Sequence, residues 1–160
     1  MNLLTLEFKK LNISVKFDNR TTQKPGFKFA EWELKGVPVR IAVGPKDLEN
    51  GTFEVARRDI LTKEVVLKES IITFVSDLLA QIQNDLFEKA LDYRNTLITE
   101  VNSFEEFKAV LNGEGGFVSA HWDGTSETEE RIKNETKATI RCIPLGVKKE
   151  TGSCMVTGNP

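Results

Sequence analysis

Cysteine, histidine and long apolar runs are scarce in this sequence. Its 160 residues include two cysteines and one histidine. Two cysteines do not make a disulfide framework, so the cytosol is the expected compartment. No stretch approaches the roughly 18 consecutive apolar residues of a membrane span, and Met1 opens a polar stretch rather than a secretion signal. We therefore expect a cytoplasmic protein with no membrane partner.

Charge is distributed unevenly along the chain. The net charge of −2 argues against an indiscriminate binder of polyanions. Residues 16–68 carry 11 Lys and Arg against 8 Asp and Glu, whereas residues 69–160 carry 9 against 15. The basic excess of the first segment is compatible with binding to one specific RNA.

Hydrophobic periodicity predicts alternating helices and strands. Apolar steps of three and four predict helices over residues 3–11, 27–35, 70–98, 103–112 and 126–136. Two-residue alternation predicts strands over 13–17, 37–43, 117–122 and 138–142, and a strand with Phe53 and Val55 that returns from the Asn50-Gly51 turn. Residues 44–47 and 148–152 are predicted loops. The predicted fold class is α/β, with a mixed-sheet domain over residues 1–98 and a smaller α/β domain over 99–160.

One segment carries most of the functional information. Residues 25–48 read PGFKFAEWELKGVPVRIAVGPKDL, an aromatic helix, an alternating strand and a loop with charges of both signs. This segment resembles the anticodon-binding domain of the prolyl-tRNA synthetase family, in the type with an extra C-terminal domain. The family pattern PGxKFxEWExKGVPxRIxxGPxDL is matched at nearly every fixed position. A match of this length is very unlikely to arise by chance, unlike a match to a short motif.

The resemblance implies recognition of the tRNA(Pro) anticodon, which ends in two guanines. A guanine edge presents two donors beside an acceptor, so a carboxylate and a cation placed together can recognise it. By resemblance, the residues assigned to these guanines are Glu33, Arg40, Lys46 and Asp47. Phe29 is expected to pack or stack and Arg58 to contact phosphate. Lys46 stands where the family more usually has arginine, which weakens the case for a two-pronged contact there.

Several of these residues also have a purely structural interpretation. Glu33 could pair with Lys35 or Arg40, and Asp47 could be an ordinary turn residue. The i, i+3 spacing of Phe29 and Trp32 also suits a core, and Arg57-Arg58 suits a solvated pair.

The second domain carries further family motifs without the family's metal ligands. Residues 115–123, GGFVSAHWD, and 137–144, KATIRCIP, are similar to a C-terminal domain that in some members binds zinc through two cysteine pairs. The four corresponding positions are Asp123, Thr128, Cys154 and Thr157. Structural zinc requires four thiolate or imidazole ligands, so we predict that this domain binds no zinc and folds by packing alone. Cys142, in a predicted strand, is expected to be a small core residue.

The resemblance covers the C-terminal part of a synthetase. It implies that the catalytic domain, which binds ATP and magnesium, lies outside this sequence, that the parent enzyme is a homodimer, and that this chain alone is inactive and needs no cofactor. It also implies that the anticodon-binding domain is incomplete at its N-terminus, without its first strand. An unpaired sheet edge would then favour self-association or low stability.

Two other functions are compatible with the residues. The domain could retain its fold and bind a protein partner instead of RNA. A small hydrolase could use His121, Asp123 and Cys154, although no nucleophile-elbow motif is present.

Overall fold

The computed structural model describes residues 2–146 and 150–160. The chain forms two compact units, Met1–Glu88 and Lys89–Pro160. The domain boundary that the sequence pattern places near residue 98 stays a prediction. None of the helices in the described ranges combines the length and the apolar character that crossing a membrane requires.

The first unit is built on a three-stranded antiparallel sheet in the order β1-β2-β3. Its elements are α1 (Asn2–Lys10), α2 (Pro25–Leu34), β1 (Val39–Ala42), α3 (Pro45–Asn50), β2 (Thr52–Arg57), β3 (Thr62–Leu67) and the start of α4 (Ile71–Thr96). Gly51 adopts the left-handed conformation, with φ of 65°, and ends α3 so that β2 can begin.

The core of this unit lies between one face of the sheet and the helices. Its buried members are Phe8, Phe53, Val55, Val66, Ile71, Val75, Leu78 and Ile82. Four of them follow one another along α4 at helical spacing, which explains why the sequence predicted that helix well. Ile71 is fully buried, and full burial of such a side chain contributes about 1.5–3 kcal/mol.

Two predictions for this unit were wrong. The segment 13–17 forms no strand and pairs with no described strand. Its alternation instead reflects one-sided burial, because Ile13 and Val15 pack against the core. Residues 44–47 open a short helix rather than a loop: Pro45 occupies the first turn, and the Asp47 carboxylate accepts a hydrogen bond from the Gly44 N–H at 2.8 Å.

The second unit contains a small βαβ arrangement. Its further elements are β4 (Ile98–Glu100), α5 (Phe104–Asn112), β5 (Phe117–Ser119) and α6 (Ser126–Thr136). Strands β4 and β5 pair in parallel, and α5 provides the crossover that a parallel pair needs. The core residues are Val101, Phe104, Phe107 and Ile132. Because the second unit has a parallel pair and the first unit an antiparallel sheet, both with helices, the predicted α/β class is confirmed.

The predicted helix over 126–136 is formed as α6, and Thr125 caps it through a hydroxyl that accepts the Thr128 N–H at 3.3 Å. Three details of the second unit differ from the predictions. Residues 98–100 form a strand instead of ending α4. Residues 138–142 form no strand, because only Ala138 of the alternating set packs on the core. Cys142 is therefore exposed, not a core residue. The predicted loop 148–152 lies partly outside the described residues.

Candidate nucleic-acid interface

Arg40 lies on the outer face of β1, beside a small cavity. Val39 and Ile41 pack against the core, so the strand alternation turns Arg40 to the opposite face. The cavity has a volume of about 140 Å³. Its walls are formed by Glu33, Arg40, Ala56, Arg57, Leu61, Thr62 and Lys63.

The Arg40 guanidinium is buried without a full set of partners. Its side chain is 15% exposed, and neither Nε nor Nη1 donates a hydrogen bond to any described atom. The nearest carboxylate oxygen, Oε1 of Glu54, lies 3.8 Å from Nη1, beyond hydrogen-bond distance. The guanidinium makes a cation–π contact with the Phe29 ring, with Cζ of Arg40 3.5 Å from the ring centroid. Since an unpaired buried donor is costly, this arrangement suits an acceptor that arrives from another molecule.

Glu33 supplies a carboxylate to the same cavity. It is half-buried in the last turn of α2, and no hydrogen bond or ion pair joins its carboxylate to another described residue. The structural alternative of a pair with Lys35 is not formed, because the Lys35 ammonium binds Glu31 at 2.6 Å. The cavity therefore presents an unpaired carboxylate and unpaired guanidinium donors, the combination that a guanine edge needs.

Helix α2 is held in place by a network of hydrogen bonds and ion pairs around Asp18 and Arg20. Asp18 accepts hydrogen bonds from Arg20 at 2.6 Å and from the Trp32 indole N–H at 2.9 Å. Those bonds, the one from Arg20 first, hold the pKa of Asp18 well below its usual range. Arg20 also binds Glu31 at 2.7 Å. Trp32 thus fastens the helix to the preceding loop, which orients Phe29 and Glu33.

The other three predicted residues do not line the cavity. Asp47, half-buried on α3, caps its own helix through Gly44 and lies 3.5 Å from the Thr52 hydroxyl. Lys46 is exposed on the same helix, after the end of β1. Arg58 is exposed just after β2, where its backbone N–H donates to the Pro38 carbonyl at 2.9 Å. The side chains of Lys46 and Arg58 have no partner within the described part of the chain.

Arg57 is a buried residue that sequence reasoning missed. It is 8% exposed and binds Asp59 at 2.6 Å and Asp85 at 2.8 Å. The hydrogen bond from Arg57 lowers the pKa of Asp59. Of the two arginines expected to be solvated, only Arg58 is exposed. The signal was available, because residues 53, 55 and 57 alternate onto the core face of β2. These ion pairs fasten the turn after β2 to helix α4.

In the second unit, the four positions that correspond to zinc ligands come together around Asp123. Its Oδ2 accepts hydrogen bonds from the hydroxyls of Thr128 at 2.9 Å and Thr157 at 3.0 Å. Its Oδ1 accepts from the Thr125 hydroxyl at 2.9 Å. Desolvation alone would raise the pKa of Asp123, but hydrogen bonds from the Thr125 N–H and these hydroxyls lower it to about 2.

Cys154 completes this cluster. Its thiol is buried and hydrogen-bonded to Thr157. Burial raises the pKa of Cys154, while hydrogen bonds from the Thr157 side chain and from nearby backbone groups together bring it below its usual value. One thiol, one carboxylate and two hydroxyls do not fit a structural zinc ion. Within the described ranges, no group of three or more His, Cys, Asp and Glu side chains is placed to hold a metal.

The hydrolase arrangement is not assembled. The nearest carboxylate to the His121 imidazole is Glu150, with Nε2 3.9 Å from Oε1. No hydrogen bond joins the imidazole to Asp123 or Cys154 within the described residues. Both of those side chains are instead engaged in the threonine cluster.

The chain matches two family models and several known proteins. Residues 2–78 match the family model described as "Anticodon binding domain", and residues 104–160 match the one described as "Prolyl-tRNA synthetase, C-terminal". The chain is 74% identical over 160 residues to the proline–tRNA ligase of Flavobacterium johnsoniae, covering 100% of this chain and 32% of that protein. It is 76% identical over 157 residues to that of Flavobacterium psychrophilum, covering 98% and 32%. The proline–tRNA ligase of Porphyromonas gingivalis W83 is 58% identical over 157 residues, again with 98% and 32% coverage.

The fold and the matched models define an anticodon-binding domain of an aminoacyl-tRNA synthetase, followed by a family-specific C-terminal domain. The chain belongs to the prolyl-tRNA synthetase family. It spans about a third of the length of the curated relatives it matches.

Proposed function

We propose that this chain recognises the anticodon of proline tRNA as part of a proline–tRNA ligase. The observation that carries the proposal is that Glu33 and Arg40 both line one cavity. Within the described ranges, the Nε and Nη1 donors of Arg40 and the Glu33 carboxylate have no hydrogen-bond partner. Glu33 would accept the N1–H and N2–H₂ donors of a guanine. Arg40 would donate to an O6 or N7 acceptor.

Phe29 prepares Arg40 for this contact. The ring lies against the guanidinium plane, so the side chain loses little freedom when a base binds. Nη1 of Arg40 is also available to a base, because the nearest Glu54 carboxylate oxygen lies 3.8 Å away and accepts no hydrogen bond from it.

Lys46, Asp47 and Arg58 would act outside this cavity. Lys46 is exposed at the start of α3 and can donate to a second base or to phosphate. Asp47 already accepts a hydrogen bond from Gly44, so its remaining acceptor positions would face the RNA. Arg58 would contribute a phosphate contact, which positions RNA without reading sequence.

The proposal extends to the parent enzyme. The relatives' name, proline–tRNA ligase, supports an activity that joins proline to tRNA, and the cytoplasm is the compartment that we propose for it. ATP and magnesium would bind a catalytic domain outside this chain, and the parent enzyme would be a homodimer. We expect the 160-residue chain alone to bind tRNA without aminoacylating it.

A direct binding experiment tests the proposal. Two anticodon stem-loop RNAs that differ only in the two guanines are titrated with the chain at two salt concentrations. We expect tighter binding to the guanine RNA, with an affinity for both RNAs that falls as salt rises. Equal affinity for the two RNAs would overturn the proposal. The alternative of a protein-interaction module is not favoured, because the charged residues of the cavity are intact.

A further inference from the structure

Three residues form a row across the outer face of the first-unit sheet. Arg40 on β1 lies opposite Ala56 on β2, and Ala56 lies opposite Lys63 on β3. Directly opposed residues share one face, with Cβ atoms roughly 4.5–5.5 Å apart. The short Ala56 side chain therefore lies between two long cationic ones, and all three line the cavity.

The Glu54 carboxylate orients the Lys63 side chain and leaves it able to donate further hydrogen bonds. Its ammonium lies 3.2 Å from Oε1 of Glu54, and the same oxygen is 3.8 Å from Nη1 of Arg40. Glu54 thus lies between the two cations. An ammonium has three donors, and the Lys63 side chain is 56% exposed. It can therefore keep Glu54 and still donate to a ligand.

We propose that Ala56 forms the floor of a base-binding cavity and that Lys63 is its second cation, opposite Arg40. The ligand is a flat nucleobase with acceptors on its edge, and its donors face Glu33 on the remaining wall. This assignment rests on the function proposed above and adds two specificity-determining residues to it.

The size of residue 56 sets the depth of the cavity. Ala56 is 8% exposed and lies between Arg40 and Lys63 in the strand register. A larger side chain at this central position would extend into the volume of about 140 Å³ and leave less room for a base. It would leave every charge in place, so it separates shape from electrostatics.

The test compares the chain with three lysine variants and one alanine variant, using the guanine RNA and its base-substituted partner. Lys63→Gln removes the second cation, and Lys63→Arg retains it. Lys68→Gln is the matched control, because it makes the same charge change on the same hairpin, just after β3 and away from the cavity walls. Ala56→Val adds volume with a residue that suits a strand.

We expect K63Q to weaken binding to the guanine RNA about tenfold, as loss of one charge-assisted hydrogen bond predicts, with a smaller effect on the substituted RNA. K63R should retain most of the selectivity, and K68Q should leave the affinity ratio unchanged. A56V should lower affinity for the guanine RNA without changing the slope of affinity against salt. If A56V melts early in circular dichroism, the K63Q and K68Q pair decides.

Three results would overturn the inference. If K63Q weakens both RNAs by the same factor, Lys63 contacts phosphate rather than a base. If K63Q and K68Q behave alike, the cavity does not use the lysine. If a folded A56V binds as the unchanged chain does, the alanine is not its floor. If the chain without substitutions still discriminates between the two RNAs, the proposed function stands even when one of these results is obtained. If that chain does not discriminate between them, both the proposed function and this inference fail.

Discussion

The Thr157 hydroxyl donates a hydrogen bond of 3.0 Å to the carboxylate of Asp123, a residue 34 positions earlier in the chain. The same carboxylate accepts hydrogen bonds from Thr125 and Thr128 at the start of α6. Asp123 therefore joins the C-terminal segment to helix α6. A network of hydrogen bonds occupies the positions that the family resemblance assigns to zinc ligands, and we predict that it stabilises this unit in addition to packing.

Asp123→Asn should destabilise the second unit. The change replaces a charged acceptor of several hydrogen bonds with an amide that has one acceptor oxygen, and charge-assisted bonds are the stronger kind. We expect a lower melting temperature in circular dichroism. Asp92→Asn is the control, since Asp92 is exposed on α4 and has no partner among the described residues. Equal melting temperatures for the two variants would show that the cluster does not stabilise the fold.

The stability of this unit should also depend on pH through Asp123. Its pKa is lowered from 3.8 to about 2 in the folded chain, so at low pH the unfolded chain binds more protons at this residue. The stabilisation is complete above about pH 4 and is lost as the pH falls towards 2. Melting curves between pH 2 and pH 6 should therefore converge for D123N and the unchanged chain at the acidic end. A constant difference across that range would contradict this account.

Zinc binding should be absent in the natural chain and restored by design. Because the side chains at 123, 128 and 157 already meet beside Cys154, the combined changes Asp123→Cys, Thr128→Cys and Thr157→Cys would provide four thiolates. After a chelator wash and zinc addition, metal analysis should find one zinc per chain in the variant and none in the natural protein. Stoichiometric zinc in the natural protein would refute the prediction.

Phe29→Leu should weaken RNA binding while the fold is preserved. Leucine keeps the apolar volume but removes the ring on which the Arg40 guanidinium stacks. Cation–π contacts contribute about 0.5–2 kcal/mol, so we expect a severalfold loss of affinity for the guanine RNA by calorimetry. Phe27→Leu is the comparison, because Phe27 is exposed on the same helix. Similar losses in both variants would remove the special role of Phe29.

Glu33→Gln and Arg58→Gln should affect binding in different ways. Loss of the Glu33 carboxylate removes base recognition and should cost about 1–3 kcal/mol on the guanine RNA only. Loss of the exposed Arg58 should weaken binding to all RNAs alike and reduce the salt dependence, as expected for a phosphate contact. Titrations of both RNAs at two salt concentrations measure these effects. A sequence-independent loss in the Glu33 variant would end its assignment as a base reader.

Helices with periodic apolar residues were predicted well, whereas the pairing of strands was not. Helix α4 places Ile71, Val75, Leu78 and Ile82 on one buried face, and that spacing is legible in any sequence. The segment 13–17 alternates equally well but only packs on one side. Strand β3 was missed because Val66 is its one buried residue, so it has no alternating pattern to detect.

The candidate site was predicted in part. The family pattern pointed to Glu33, Arg40 and Phe29, and the structure places the first two in one cavity and the third against Arg40. The family pattern did not point to Lys63 or Ala56, because their position relative to Arg40 depends on the register of three strands. The alternation of residues 53, 55 and 57 could have placed Arg57 on the core face of β2. Its partners Asp59 and Asp85 can be identified only once α4 lies against the turn after β2.

The sequence by itself determined the α/β class, the long helix and the family, because apolar spacing and residues 25–48 are local properties of the chain. The tertiary structure alone decided which charges stay free and which are neutralised. Within the described part of the chain, the Glu33 carboxylate and the Nε and Nη1 donors of Arg40 have no hydrogen-bond partner. Arg57 and Asp123, by contrast, are bound by residues 28 and 34 positions away. Hydrogen bonds form between atoms that folding brings within about 3 Å, and no local pattern encodes that distance.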